Sequence, residues 1–430
     1  MNNYSTKNQE QWLRIFDKYN IIGELEKQSV FQIHSSQINE FRQARLMTKF
    51  DHHSQLPPIF KKNKLSILPN SRGTYLIGAF NTFQLFDDKH VEIREIEIPK
   101  NFESLDFANI SSESTAINCA YCAGVLHDFL EDGNLYPTVS GRMSSGEFKF
   151  KIEQTAGSND FSLHIKNAQI EIDGGFEGKQ YLNLIEAKNS ISNDFLIRQL
   201  YYPFRLWNSK LKKKVKPIFL TYSNGIFHLR EFCFTNENHY NAIKLLKTQK
   251  YVLKDRTLNI NEVYSIYNNT KVESYPTSIP FPQANSFDRI INLCELIKAN
   301  AFLSKDFITQ NYDFDPRQSD YYTNAGRYLG LIEKLNIENE PHYRLTHEGI
   351  VTFSKPLKER QLSLVKHILK FSAFRSSMTY YFQKGKLPSE DYIAQIITNS
   401  KLKHLSSTST IKRRASTVSN WLFWITNQLN

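Results

Sequence analysis

The sequence predicts an α/β protein of several domains, and three observations carry that expectation. The chain has 430 residues and 40% hydrophobic content, enough to build more than one ordinary core. Its middle runs helix, strand, strand, strand, helix, strand in hydrophobic periodicity, the alternation of a mixed sheet covered by helices. A stretch bearing Pro276, Pro280 and Pro282 then interrupts both periodicities, because proline lacks the N–H that a helix or sheet ladder needs. These signals divide the chain into an N-terminal region at 1–95, a central α/β domain at 96–270, a linker at 271–285, a helix-and-ribbon domain at 286–356 and a helical region at 357–430.

In the N-terminal region, Ser35 or Ser36 caps a helix that places Arg42 and Arg45 on one face and leads to Lys49. Lys61, Lys62 and Lys64 follow, then Ser71, Arg72 and Gly73 as a turn before a strand at 74–78. This basic region either grips DNA or is a solvated face. Asp51, His52 and His53 have no further ligand at metal-site spacing and read as a polar loop.

In the central domain, residues 112–130 form an amphipathic helix that buries Cys119 and Cys122, and strands follow at 147–152, 162–173 and 181–188. Gly174 and Gly175 end the second of these. Leu196, Leu200, Phe204 and Trp207 recur at helical spacing over 193–207, where Pro203 should kink or shorten the helix. Two last strands, 216–222 and 227–232, flank a turn at Asn224 and Gly225. Beyond the linker, helices are expected at 286–298, 304–310 and 316–333, with Pro316 at a first helical position. A ribbon through Tyr343 to Thr346 follows, and three helices with a ribbon suggest a winged helix.

Lysine and arginine total 54 against 43 acidic residues, a net charge of +11 that favours a polyanionic partner but also occurs in basic enzymes without one. No apolar run approaches the roughly 20 residues that span a bilayer, so no membrane association and a cytoplasmic location are expected. Four cysteines at scattered positions give no disulfide framework or four-thiolate zinc site. There is no G-x-x-x-x-G-K-[ST] phosphate loop, so no ATP requirement is expected, and no G-x-S-x-G or H-E-x-x-H signature.

The chemistry-bearing pattern is Asp173 at the end of one strand and Glu186-Ala187-Lys188 at the end of the next. A carboxylate followed at free spacing by E-x-K arises roughly once by chance in a chain this long. Strand alternation supplies the discrimination: Glu186 and Lys188 must share one face, with Ile185 and Ala187 on the other. A return through 174–180 brings Asp173 beside them, or else the three are ordinary surface charges. Two carboxylates with one ammonium suit phosphodiester hydrolysis. Carboxylates hold Mg2+, which keeps coordination sites for phosphate oxygens, and lysine can orient water or offset charge on the phosphorane.

On Ile172-Asp173-Gly174-Gly175 and Leu184-Ile185-Glu186-Ala187-Lys188 the sequence resembles the PD-(D/E)XK nuclease superfamily, and more narrowly type II restriction endonucleases with a C-terminal winged-helix domain. Ile172 stands where the motif name has proline. The resemblance implies a restriction-endonuclease-like mixed-sheet core, with Asp173 and Glu186 as metal ligands and Lys188 as the catalytic lysine. It further implies Mg2+ as cofactor with Mn2+ as substitute, double-stranded DNA as substrate and a cognate DNA methyltransferase as functional partner. A homodimer would suit a palindromic site, and a monomer could nick successively. Members often add an acidic residue from the preceding helix, for which Glu113 is the candidate, although a carboxylate there also complements the helix dipole. Gln199 and Tyr202 in Ile197-Arg198-Gln199-Leu200-Tyr201-Tyr202 resemble the Gln and Tyr near the metal of RecB-like nucleases at a different spacing, or pack into the core.

DNA contacts are expected from Arg142 and Ser144 in the Gly-flanked stretch 140–146, which is otherwise a simple turn, and from Lys212, Lys213 and Lys214 after the helix over the site. Lys210 and Lys216 extend that cluster, which is otherwise a charged loop. In the third C-terminal helix, Arg317, Gln318, Asn324 and Arg327 carry groups able to pair with guanine and adenine edges. A purely structural role of that domain also fits, and the basic patch Lys412, Arg413 and Arg414 has the same two readings. Two other functions stay open: a structure-specific repair or recombination nuclease of the same superfamily, and a non-catalytic winged-helix regulator.

Overall fold

In the computed structural model, residues 7–87, 91–99, 102–107, 110–155, 159–254, 258–311, 316–400 and 407–429 are described. The chain opens with α1 (Lys7–Lys18), α2 (Ile21–Gln28), β1 (Val30–His34), α3 (Ser35–Asn39), α4 (Ala44–Met47), α5 (Pro58–Lys62), β2 (Ser66–Pro69) and β3 (Thr74–Gly78). Trp12, Phe16, Phe50 and Phe60 make the aromatic centre of this unit, and Trp12 Nε1 donates to the Met47 carbonyl. Arg42 and Arg45 do not share a helix face, because α3 stops at Asn39 and Asn39 Oδ1 accepts from the N–H of Ala44 to start α4. The Arg42 guanidinium instead donates to Asn8 Oδ1.

The central elements are β4 (Phe83–Leu85), β5 (Ile93–Ile96), α6 (Glu113–Cys122), α7 (Val125–Leu130), β6 (Tyr136–Ser144), β7 (Glu147–Ile152), β8 (Phe161–Lys166), β9 (Gln169–Glu177), β10 (Tyr181–Lys188), β11 (Asp194–Leu196), α8 (Arg198–Asn208), β12 (Lys214–Ser223), β13 (Ile226–Phe234) and β14 (Ile243–Leu253). They build a mixed seven-stranded sheet in the order β5-β14-β13-β12-β10-β9-β6. β10 runs parallel to β12, with α8 as the crossover, and antiparallel to β9. One face of β10, with Leu182 and Leu184, packs under α8 with Ile172, Tyr201 and Tyr202. The other, with Ile185 and Ala187, packs on α6 and α7 through Ile117, Leu126 and Phe129.

Several expected elements divide or shift. The helix expected over 112–130 breaks at Gly124, whose φ of 81° is costly for other residues. The strand expected over 162–173 is two strands, β8 pairing with β7 and β9 entering the large sheet, separated where Asn167 takes φ 58°. Residues 140–144, in the stretch read as a DNA contact or else a simple turn, lie in the edge strand β6. The helix expected from 193 starts at Arg198, because 194–196 pair with β4. It continues through Pro203 to Asn208.

The remaining elements are α9 (Ile260–Asn269), α10 (Phe287–Asn300), β15 (Phe302–Ser304), α11 (Lys305–Asn311), α12 (Pro316–Tyr328), β16 (Ile332–Ile337), β17 (Glu340–Leu345), α13 (His347–Ser354), α14 (Leu357–Leu369), α15 (Ser372–Lys384), α16 (Glu390–Asn399) and α17 (Thr408–Thr426). α12 ends at Tyr328, earlier than expected, because Ile332 opens β16. α9 and the proline stretch join the C-terminal core through Val263, Phe281 and Ala284. The terminal regions share a connectivity: helix, strand, helices, then two strands, with sheet orders β1-β3-β2 and β15-β17-β16. Among the described residues no helix is long and apolar enough to cross a membrane.

Candidate active site

β9 carries a bulge where the site begins. Gly141 pairs with Ile172 and Val139 with Gly175, so Ser140 alone opposes Asp173 and Gly174. Only a glycine fits at 175, since a Cβ there would lie 2.8 Å from the Val139 Cβ and 2.9 Å from its carbonyl oxygen. The turn from β9 to β10 is tied by Asp132, whose carboxylate accepts from the N–H groups of Gln180 at 2.8 Å and Tyr181 at 3.0 Å. Continuing the register one step past Ile185 and Gly174 sets Asp173 against Glu186. Asp173 Oδ2 accepts from the Ala187 N–H at 2.8 Å.

Glu186 is 8% exposed. Its Oε1 accepts from Lys188 Nζ at 2.5 Å and from Gln199 Nε2 at 2.7 Å. Gln199, in the first turn of α8, also donates through Nε2 to Asp51 Oδ1 at 3.3 Å, and its own Oε1 is buried with no partner among the described residues. Asp173, Glu186, Lys188 and Gln199 are therefore brought together. Glu113 joins at longer range in the first turn of α6, behind the Ser112 cap, where its carboxyl is held above its ordinary value by burial and feels Lys188, Asp173, Lys49 and Asp51. Tyr202 does not join: it is buried among Phe148 and Phe150, and its hydroxyl donates to the Pro69 carbonyl.

Asp51 is the group that sequence spacing missed. It precedes a short 3-10 turn at His53–Gln55, and the loop is fastened to β11: the Leu196 N–H donates to the Asp51 carbonyl, His52 Nδ1 bonds the Asp194 carbonyl at 2.8 Å, and the His53 N–H donates to the Asp194 carboxylate at 3.2 Å. The pairing partner lies 148 residues downstream, a separation at which no local pattern signals contact.

The electrostatics are those of crowded carboxylates around one ammonium. Burial, with Asp173 and Asp51 nearby, pushes the Glu186 carboxyl up to about 8. Burial likewise raises Asp173. For Asp51 burial acts upward, but Lys188, Lys49, His52 and Arg198 together hold it below its ordinary value, so it stays ionised. Burial opposes the charge of Lys188, yet Glu186, Asp51, Glu113 and Asp173 outweigh it and raise its pKa.

Among the described residues no three His, Cys, Asp or Glu side chains form a ready-made metal cage. A Mg2+ site does not need one, since this ion commonly takes one or two carboxylates and completes its shell with water and phosphate oxygens. Asp173 and Glu186 offer hard oxygens, Gln199 Oε1 is an unused buried acceptor beside them, and several carboxylates face a single lysine. That donor set fits a divalent cation.

The expected DNA contacts are more dispersed. Arg142 is exposed on β6 and pairs with Glu171 at 3.2 Å, two residues before Asp173. Ser144 donates to Asn167 Oδ1. The lysine cluster lies at the far end of the active strand: Lys214 pairs with Tyr181, whereas Lys188 pairs with Thr221, seven residues or roughly 23 Å along β10 at ~3.3 Å per residue. Lys212 and Lys214 are exposed, but Lys213 is held by Glu177 and the Gly178 carbonyl, and Lys216 pairs with Glu231. On α12, Arg317 is exposed and Gln318 half-buried, while Arg327 donates to Asn324 Oδ1 at 2.8 Å, so those two engage each other.

Three family models match the chain, each described as a domain of unknown function: DUF6996 over residues 9–77, DUF6997 over 78–252 and DUF7226 over 289–430. No curated protein and no solved structure matches. The boundary between the first two models divides the site. Asp51 falls in the first, and Glu113, Asp173, Glu186, Lys188 and Gln199 in the second.

Proposed function

We propose that the chain is a Mg2+-dependent endonuclease of the PD-(D/E)XK type that hydrolyses double-stranded DNA at a short specific sequence, as type II restriction enzymes do. The observation that carries this is the convergence of Asp173, Glu186 and Lys188 at adjoining strand ends, with Gln199 bonded to Glu186. Asp173 and Glu186 would hold the cation, with Mn2+ as a substitute, and the bound ion supplies Lewis acidity toward phosphate oxygens and an acidified water. Asp173 is oriented by the Ala187 N–H, which bonds one of its two oxygens. The Lys188 ammonium stays charged and lies where it can orient the attacking water or offset charge on the phosphorane. The P–O bond on the far side of phosphorus breaks as the new one forms, leaving a phosphate and a hydroxyl.

The connectivity of α10, β15, α11, α12, β16 and β17, with strand order β15-β17-β16, supports a winged helix whose α12 faces DNA. In this role the chain is cytoplasmic and acts beside a cognate methyltransferase, without ATP. Digestion of a sequenced plasmid with Mg2+, followed by mapping of the ends, tests the proposal. Discrete fragments with constant ends are expected, and Asp173→Ala and Lys188→Ala should abolish cleavage while retaining DNA binding. Cleavage only at branched or damaged DNA would indicate a repair nuclease, and cleavage by either variant at the wild-type rate would remove the site.

A further inference from the structure

The nuclease centre is joined across a boundary. Asp51 belongs to the N-terminal unit, yet its carboxylate and that of Glu186 accept from the same nitrogen, Gln199 Nε2. This arrangement decides which way the Gln199 amide points. The Asp51 carboxylate, and the Glu186 oxygen that already accepts from Lys188, take its N–H2 end, so the carbonyl end is turned away from both and is buried without a partner among the described residues. A buried amide oxygen without a donor is destabilising, and a cation or its water would satisfy it.

We propose that Asp51 is a positioning residue through which the N-terminal unit completes the cation site, by fixing the Gln199 amide so that Oε1 faces the cation or a water on it. The inference rests on the nuclease function proposed above, but it makes a separate statement: the central sheet domain alone holds an incomplete site. The Asp51 loop is not placed by its own flexibility. Its backbone is bonded to Gln55 and Leu196, and its neighbours His52 and His53 both bond Asp194.

Mn2+ titration of the full chain by calorimetry, without DNA, is the test. Loss of a residue that orients a ligand commonly weakens metal affinity 10- to 100-fold. Asp51→Ala is expected to do so, while Asp51→Asn, which keeps an oxygen able to accept from Nε2, should stay within about 3-fold of wild type. Gln199→Ala should weaken binding as Asp51→Ala does, and the double variant no further, because both act through one amide. Equal affinity of wild type and Asp51→Ala overturns the proposal, as do additive losses in the double variant. If Asp51→Ala unfolds the N-terminal unit, seen as a lowered Tm, the Asp51→Asn and Gln199→Ala pair still decides it: weakening by Asn as severe as by loss of Gln199 overturns it. A wild-type chain that binds Mn2+ but cuts no DNA removes the nuclease function and leaves the Asp51 result intact. A wild-type chain that takes up no Mn2+ removes both.

Discussion

His367 shows how one side chain makes a core sensitive to acid. It is 5% exposed on α14, with Nδ1 against the Leu329 carbonyl at 3.0 Å and Nε2 against Thr352 Oγ1 at 3.3 Å. The neutral ring satisfies both, donating to the carbonyl and accepting from the hydroxyl. Burial, with Lys370 and Lys366 near it, outweighs Glu348 and the bond to the Leu329 carbonyl and lowers its pKa to about 4 from 6.5. Between those values the unfolded chain binds the extra proton, so stability is full above pH 6.5 and falls as pH drops toward 4. The loss from pH 7 to pH 5 should be about 2 kcal/mol in urea unfolding. His367→Gln should remove most of that difference, and an unchanged pH dependence in the variant would show that another group is responsible. At the candidate site, the same scale separates what sequence could show from what it could not. Glu186 and Lys188 declare their common face through strand parity, and Gln199 is marked by its place in the next helix. Asp51 has no such marker, because its role exists only once two units have docked.

At the scale of elements, legibility followed how unbroken the apolar pattern of each segment is. β10 was expected at 181–188 and occupies those residues, since it is buried on both faces between Tyr181 and Lys188. β14 has no strand signature in sequence because Lys247, Thr248, Gln249 and Lys250 interrupt its apolar pattern, although it pairs along β13 for nine residue positions. β4 and β11 are three residues each, too short for any periodicity, and only their pairing defines them. The bulge in β9 is marked in sequence by Gly174-Gly175, a pair that equally signals a strand end, whereas the strand continues to Glu177. Here geometry makes a prediction. In Gly175→Ala the new methyl would press on Val139 of β6 at under 3.0 Å, and backbone cannot yield as a flexible side chain can. The expected cost is about 1–3 kcal/mol, together with a shift of Asp173. Cleavage should fall at least 10-fold at temperatures where the variant remains folded. Wild-type cleavage with lowered stability would show that the bulge serves packing alone.

At the scale of the whole molecule, the stretch 189–196 is held from both sides. Asn292 and Arg289 of α10 bond Asn189, Ile191 and Asn193, and the Asp51 loop bonds Asp194 and Leu196. The terminal units thus brace the chain that leaves Lys188. The net charge of +11 is not gathered in one place around it. Lys49 lies at the site, its side chain 68% exposed and 3.8 Å from Asp51, so a phosphate entering there would meet it. Lys213, by contrast, is engaged by Glu177 and Gly178 at the other end of β10. Each phosphate neutralised adds roughly 0.9 to the slope of log affinity against log salt. With Ca2+ replacing Mg2+ to allow binding without cleavage, Lys49→Ala should therefore reduce the slope by about 0.9. Lys213→Ala should leave the slope unchanged and lower Tm slightly, because it loses an internal contact instead of a phosphate. Fluorescence titration of both variants over a salt series separates these outcomes. A reduced slope for Lys213→Ala with none for Lys49→Ala would place the DNA along the opposite end of the sheet, away from Asp173 and Glu186.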